Sequence, residues 1–220
     1  MPRFYNHRMA LRSTTAADLF LQPLARALNG APRAAAARPY PAHEQAADAL
    51  PAPARRHAAG LMRVNHAGEI AAQGLYHGQA LTARNPEVAA HLRAAAVEER
   101  DHMAWCEQRL TELGSQPSAL SPLWYAGSFA MGVAAGLAGD RWNLGFVAET
   151  ERQVAAHLGE HLGQLPPGDT RSRAVVHAMR EDEARHGAEA TAAGGAELPL
   201  PVKRLMHRVA GVMKWVAYHR

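Results

Sequence analysis

Six residues of this 220-residue sequence could hold a pair of metal ions between them: Glu69, Glu99, His102, Glu151, Glu183 and His186. They fall into two units of the same form. Glu69 is followed 30 residues later by Glu99-Arg100-Asp101-His102, and Glu151 is followed 32 residues later by Glu183-Ala184-Arg185-His186. On a helix, side chains three positions apart lie one turn along on the same side, so a Glu oxygen and a His nitrogen at that spacing can meet one ion. Two such pairs, each joined by a Glu from a neighbouring helix, supply four carboxylates and two imidazoles facing one another across a bundle. Carboxylates can bridge two cations and balance their charge, and imidazole suits iron better than magnesium or calcium. A single Glu-x-x-His is common on solvated helix faces; the duplication gives the pattern its weight.

The helical register supports the choice, because a ligand must point inward among apolar neighbours. Glu99 shares its face with Leu92, Ala95, Ala96, Met103 and Cys106, whereas Glu98 lies with His91 and Asp101 and is expected to be dispensable for metal. Glu151 lies with Leu144, Val147, Ala148, Val154, Ala155 and Leu158, while Glu149 points to the opposite side, towards Arg152 and Gln153. Glu183 has Val176, Met179 and Ala190 beside it but also Arg180, and the Glu-x-x-His register selects it over Glu181. Glu69 keeps company with Met62, Asn65, Ala72, Gln73 and Tyr76. His157 is a candidate hydrogen-bond partner behind the ligands or a packing residue, and Cys106 reads as packing. Asp101 could orient an imidazole of the facing hairpin. No catalytic acid or base separate from the ligands is expected.

The elements that position these residues must be helices. Apolar residues make up 48% of the chain and aromatic ones 6%, with abundant alanine, a strongly helical composition. Helices are expected at about 56–84, 87–113, 123–138, 141–164 and 169–192, with a last one after Pro201, broken at Asn85-Pro86, Gly114, Pro117, Pro122 and Pro166-Pro167-Gly168. The expected fold is all-α: a ferritin-like four-helix bundle with additional apolar and C-terminal amphipathic helices. Residues 55–220 would form this one domain, and residues 1–54 a poorly ordered N-terminal extension ending in an Ala/Pro linker with Pro32, Pro39, Pro41, Pro51 and Pro53.

The single cysteine excludes an internal disulfide and any Cys/His zinc pattern, which points to a reducing compartment. The net charge of +4 is concentrated at the ends. Arg3, Arg8, Arg12, Arg26, Arg33 and Arg38 face only Asp18 in residues 1–42, the bias of a mitochondrial transit peptide or of a bacterial N-terminal extension. No secretion signal is recognisable, and no nucleic-acid partner is expected.

Two apolar segments suggest a lipid environment. Between Glu112 and Asp140 there is no charged residue, yet Pro122 leaves a helix too short to be a comfortable membrane span. Ser128, Gly132 and Gly136 recur every four residues and give a smooth face, suited either to close helix packing or to a long apolar chain. In the last helix Val202, Leu205, Met206, Val209, Val212, Met213 and Val216 form a stripe beside Lys203, Arg204, Arg208 and Lys214, with Trp215 and Tyr218 nearby. A basic amphipathic helix of this type suits an anionic membrane surface, or closes the domain.

From about residue 55 to residue 220 the sequence resembles the demethoxyubiquinone hydroxylase family of ubiquinone biosynthesis. The resemblance rests on Leu61-Met62-Arg63-Val64-Asn65-His66-Ala67-Gly68-Glu69, Glu98-Glu99-Arg100-Asp101-His102, Pro122-Leu123-Trp124, Glu149-Thr150-Glu151-Arg152-Gln153-Val154 and Glu181-Asp182-Glu183-Ala184-Arg185-His186. It implies an O2-dependent di-iron monooxygenase with two Fe ions per subunit on the six residues already chosen. Such an enzyme hydroxylates a polyprenyl methoxy-benzoquinol, demethoxyubiquinol, with O2 and two electrons to give demethylubiquinol. The family's His after the third ligand glutamate is matched by His157, but the Tyr that can follow it is Leu158 here, so a role in electron transfer attributed to that Tyr does not carry over. The resemblance further implies peripheral binding on the cytoplasmic side of a bacterial cell membrane, or on the matrix side of the mitochondrial inner membrane, and ubiquinone-biosynthesis partner proteins. From the residues alone the rivals are a ferritin-like iron-oxidising or storage protein, a manganese catalase or other di-metal oxygenase, and a metal-free membrane-associated helical scaffold.

Overall fold

The computed structural model describes residues 36–47 and 49–220. Among them all regular structure is helical: α1 (Ala52–Thr82), α2 (Pro86–Glu112), α3 (Ser121–Leu137), α4 (Asp140–Gln164), α5 (Thr170–Ala192) and α6 (Leu200–His219). The punctuation is local chemistry. Asn85 accepts from Glu87 N (2.8 Å) and Asp169 from Ser172 N (2.8 Å), so two helix starts are capped by side chains. Gly114, Gly139 and Gly194 take φ of 68°, 104° and 96° where the chain leaves α2, α3 and α5, a region open mainly to glycine. Pro53 and Pro122 fall in the first turns of α1 and α3, where a missing N–H costs nothing, so both helices begin earlier than the proline positions suggest.

Helices α1 and α2 form one hairpin and α4 and α5 another; the two face each other, with α3 running along α1 and α6 across α1 onto the edge of α4. The core is divided in two. One apolar cluster contains Met62, Cys106, Leu158 and Met179, the other Tyr76, Leu92, Val147 and Ala190. On each of the four bundle helices the six candidate ligands lie between a member of the first cluster and a member of the second, so apolar layers close the site from both ends.

Residues 36–47, within the expected linker, contain no helix yet pack on the bundle. Ala42 is fully buried, Tyr40 Oη donates to Glu112 (3.2 Å), and Arg171 donates to Gln45 O (2.6 Å).

The smooth face of α3 resolves as helix packing. Ser128, Gly132 and Gly136 are buried against α1, which answers with Gly74 and Gly78. A Cβ at Gly132 would collide with Leu75 O and stand 3.0 Å from Gln79 N; one at Gly78 would collide with Phe129 O and stand 2.8 Å from Val133 N. Backbone touches backbone along this seam, and no space remains there for an acyl chain. Leu123, Met131 and Leu137 point outward instead. Among the described residues, no helix is long and apolar enough to cross a membrane.

Candidate metal centre

The four bundle helices bring all six predicted residues into one buried cluster. Ligand atoms of Glu69, Glu99, His102 and Glu183 lie within 4.8 Å of one another. His102 Nδ1 is 2.8 Å from Glu99 Oε2, 3.0 Å from Glu183 Oε1 and 3.6 Å from Glu69 Oε2. His186 Nδ1 is 3.3 Å from Glu99 Oε1 and 3.6 Å from Glu183 Oε2. Glu99 and Glu183 therefore each turn one oxygen to either imidazole. Glu69 joins the His102 side, while Glu151 is hydrogen-bonded to Glu183 and receives a hydrogen bond from Tyr76 Oη.

Electrostatics make this cluster unsuited to being left to itself. Burial, reinforced by neighbouring carboxylates, raises Glu69 and Glu151 well above the usual carboxylate range. Glu183 is buried too, but the neighbouring His102, His186 and Glu151 outweigh the burial and hold it low. Burial opposes charge on the imidazoles, yet the surrounding carboxylates keep His102 well above its usual range and raise His186 to about 10. Protons here do the work a cation would do. Glu99 Oε1, Glu183 Oε1 and His186 Nδ1 are buried with no hydrogen-bond partner, which is costly unless something else satisfies them. The donor set fits two divalent ions: four carboxylates offset their four charges, and both Nδ1 atoms point inward.

The outer nitrogens reveal what the sequence reading missed. His102 Nε2 is 2.9 Å from Asp182 Oδ2 on α5, and His186 Nε2 is 3.2 Å from Glu98 Oε2 on α2. Each acid immediately precedes the Glu of its own Glu-x-x-His and serves the histidine of the other hairpin. Glu98, expected to be dispensable, is thus at the rim of the site. Asp101 does not reach an imidazole of the facing hairpin; its carboxylate accepts from Ala37 N (2.7 Å) and Arg38. Glu149 is outside the cluster, bound by Arg152, Gln153 and Lys203. His157 packs edge-on against His161 with centroids 3.9 Å apart and makes no hydrogen bond to the six. Burial, then His161 and Lys214, push it down to about 2, so it is neutral. Cys106 is buried 3.7 Å from Met179 Sδ, and burial pushes its thiol up, away from reactivity.

Residues 56–217 match the family model of the ubiquinone biosynthesis protein COQ7. The chain belongs to the COQ7 family. The stretch that matches the COQ7 model contains all six cluster residues as well as Glu98 and Asp182. Similar curated proteins of known name include the 3-demethoxyubiquinol 3-hydroxylase of Cupriavidus taiwanensis, 58% identical over 193 residues that span 88% of this chain and 93% of that protein. The proteins of the same name from Polynucleobacter necessarius and Bordetella pertussis are 58% and 59% identical, over 83% and 88% of this chain and 88% and 86% of their own lengths.

Proposed function

We propose that this COQ7-family chain is an O2-dependent two-iron monooxygenase that hydroxylates a polyprenyl methoxy-benzoquinol, giving demethylubiquinol in ubiquinone biosynthesis. The observation that carries the reading is the pair Glu99 and Glu183, each offering an oxygen to both imidazoles deep in the bundle. Glu69 and His102 would hold one iron, Glu151 and His186 the other, with Glu99 and Glu183 spanning both. Two irons bound there supply the redox chemistry with O2 that no side chain of the protein offers. The names of the relatives supply the substrate class.

The chain's own contribution is positioning and exclusion. With metal bound, Asp182 and Glu98 would accept from Nε2–H and so fix the tautomer that turns each Nδ1 lone pair inward. Tyr76 holds Glu151 by its hydroxyl. The apolar layers of Met62, Cys106, Leu158 and Met179 on one side and Tyr76, Leu92 and Val147 on the other keep water from the cluster. Quinone profiling of a strain lacking its own hydroxylase tests the reading: the chain should restore ubiquinone, and Glu151→Ala should leave demethoxyubiquinone accumulating. Failure of the unaltered chain would sink the substrate assignment.

Delivery of a polyprenyl substrate favours a peripheral membrane protein, read here as lying on the cytoplasmic side of a bacterial membrane. In α6, Leu205 and Val212 are each 63% exposed and Trp215 69%, with exposed Arg204 and Arg208 alongside. Lys203 is a different case, tied to Glu197 (3.2 Å) and Glu149 (3.7 Å), and it fastens α6 to α4. With about 1 kcal/mol per basic residue near an anionic surface, Arg204→Glu with Arg208→Glu should weaken binding to phosphatidylserine vesicles at least about tenfold. Iron content should stay unchanged, and undiminished co-sedimentation would dismiss this anchor.

A further inference from the structure

We propose that Arg38 is a positioning residue for one half of the metal centre: it ties the segment ahead of the bundle to the carboxylate that orients His102, so the two metal positions are held with unequal stiffness. The inference rests on the two-iron reading above and adds a residue from outside the bundle.

Arg38 is fixed at both ends. Its backbone N and its Nε reach Asp101 Oδ2 at 3.3 and 3.0 Å, while the preceding Ala37 N takes Asp101 Oδ1 at 2.7 Å. The far end of the guanidinium donates from Nη1 to Asp182 Oδ2 at 2.7 Å, and its Nη2 lies 3.3 Å from His102 Nε2, a longer contact that is no hydrogen bond when that nitrogen gives its proton to Asp182. Its carbon lies 4.7 Å from the centroid of the Trp105 ring, and that ring lies 5.4 Å from the ring of His102. The oxygen of Asp182 that Arg38 holds is the same one that faces His102 Nε2 at 2.9 Å. One planar fork thereby joins an acid of α2 to an acid of α5 directly behind a ligand histidine, a span that a lysine's single ammonium cannot reproduce.

The other half lacks this brace. Glu98 Oε2, behind His186, receives Arg185 at 2.8 Å, and the same Nη2 also donates to Asp182 Oδ1 at 3.0 Å. Arg185 is thus common to both halves, whereas Arg38 serves only the first. Exposure follows the same division: the Asp182 side chain is 15% exposed and that of Glu98 37%. With an acceptor held on two sides, His102 loses less freedom on taking a metal than His186 does, and the Glu69/His102 position should release its ion more slowly.

The test is iron release from the full-length protein, loaded anaerobically with Fe(II) and challenged with ferrozine. Two irons should leave the unaltered protein in two phases. Arg38→Ala should speed the slow phase by about 10–100-fold, the usual effect of removing a partner behind a metal-bound histidine, and leave the fast phase alone. Arg38→Lys should not restore the slow phase, and Glu98→Gln should accelerate the fast phase only. Metal-free Arg38→Ala should melt with the metal-free parent. Unchanged release, equal acceleration of both phases, rescue by lysine, or an equal drop in melting temperature with and without iron each overturns the proposal. A parent protein that binds fewer than two irons instead refutes the two-iron reading, and this inference with it.

Discussion

Glu151→Gln should halve the bound iron while leaving the metal-free protein as stable as its parent. Burial, aided by Glu183, keeps Glu151 in its neutral acid form when no cation is near. A glutamine copies that form: its amide can donate to Glu183 as the acid proton does, and its carbonyl still accepts from Tyr76 Oη. What it cannot do is supply an anionic ligand oxygen. At an iron concentration about 100 times the dissociation constant, losing one bound ion removes about 2.7 kcal/mol, which for a domain of this size lowers Tm by roughly 5–10 °C. Glu99→Gln, which alters the oxygens facing both imidazoles, should lose both ions and about twice that stabilisation. Elemental analysis and calorimetry in chelator and in Fe(II) decide the matter. Full occupancy in Glu151→Gln would remove it from the ligand set, and a metal-free Tm that falls as far as the loaded one would show a general packing defect.

A comparable loss is expected from Gly132→Leu, for another reason. Because Gly132 meets Leu75 O and Gln79 N across the α1–α3 seam, even a Cβ must push two backbones apart, and a whole leucine far more. Overpacking of this kind costs about 3 kcal/mol or more, or about 6–12 °C in Tm. Since α1 also carries Glu69 and Tyr76, iron should be lost as well. A thermal melt and iron analysis of this one variant check both, and an unaltered Tm would mean that the two helices do not touch here.

Much of this was legible before any coordinates. The buried cluster could be read because helical period places Glu99, Glu151 and Glu183 among apolar neighbours, and because the motif recurs. Most helix ends followed from Asn85-Pro86, Gly114 and Pro166-Pro167-Gly168. Glu98 was not legible: one residue round from Glu99 it reads as a solvated face, and its partner His186 lies on another helix. Arg38 was hidden for a stronger reason, since a proline-rich segment has no period from which to infer a burial side. The Ser128/Gly132/Gly136 stripe correctly announced a close approach, but a stripe of small residues does not say what approaches. The answer was Gly74-Leu75-Tyr76-His77-Gly78, on a helix already claimed by Glu69.

The crossed pairing of Asp182 with His102 and of Glu98 with His186 also bears on the order in which the chain folds. These contacts join residues 80 and 88 positions apart, whereas each helical hairpin closes over a short turn. Local hairpins should form early and distant contacts late, because loop closure must precede any gain from them. Either hairpin alone would hold a Glu and a Glu-x-x-His but leave its histidine without the outer acid that sets the tautomer. On the two-iron reading, a tightly held metal is therefore expected only once both hairpins have docked.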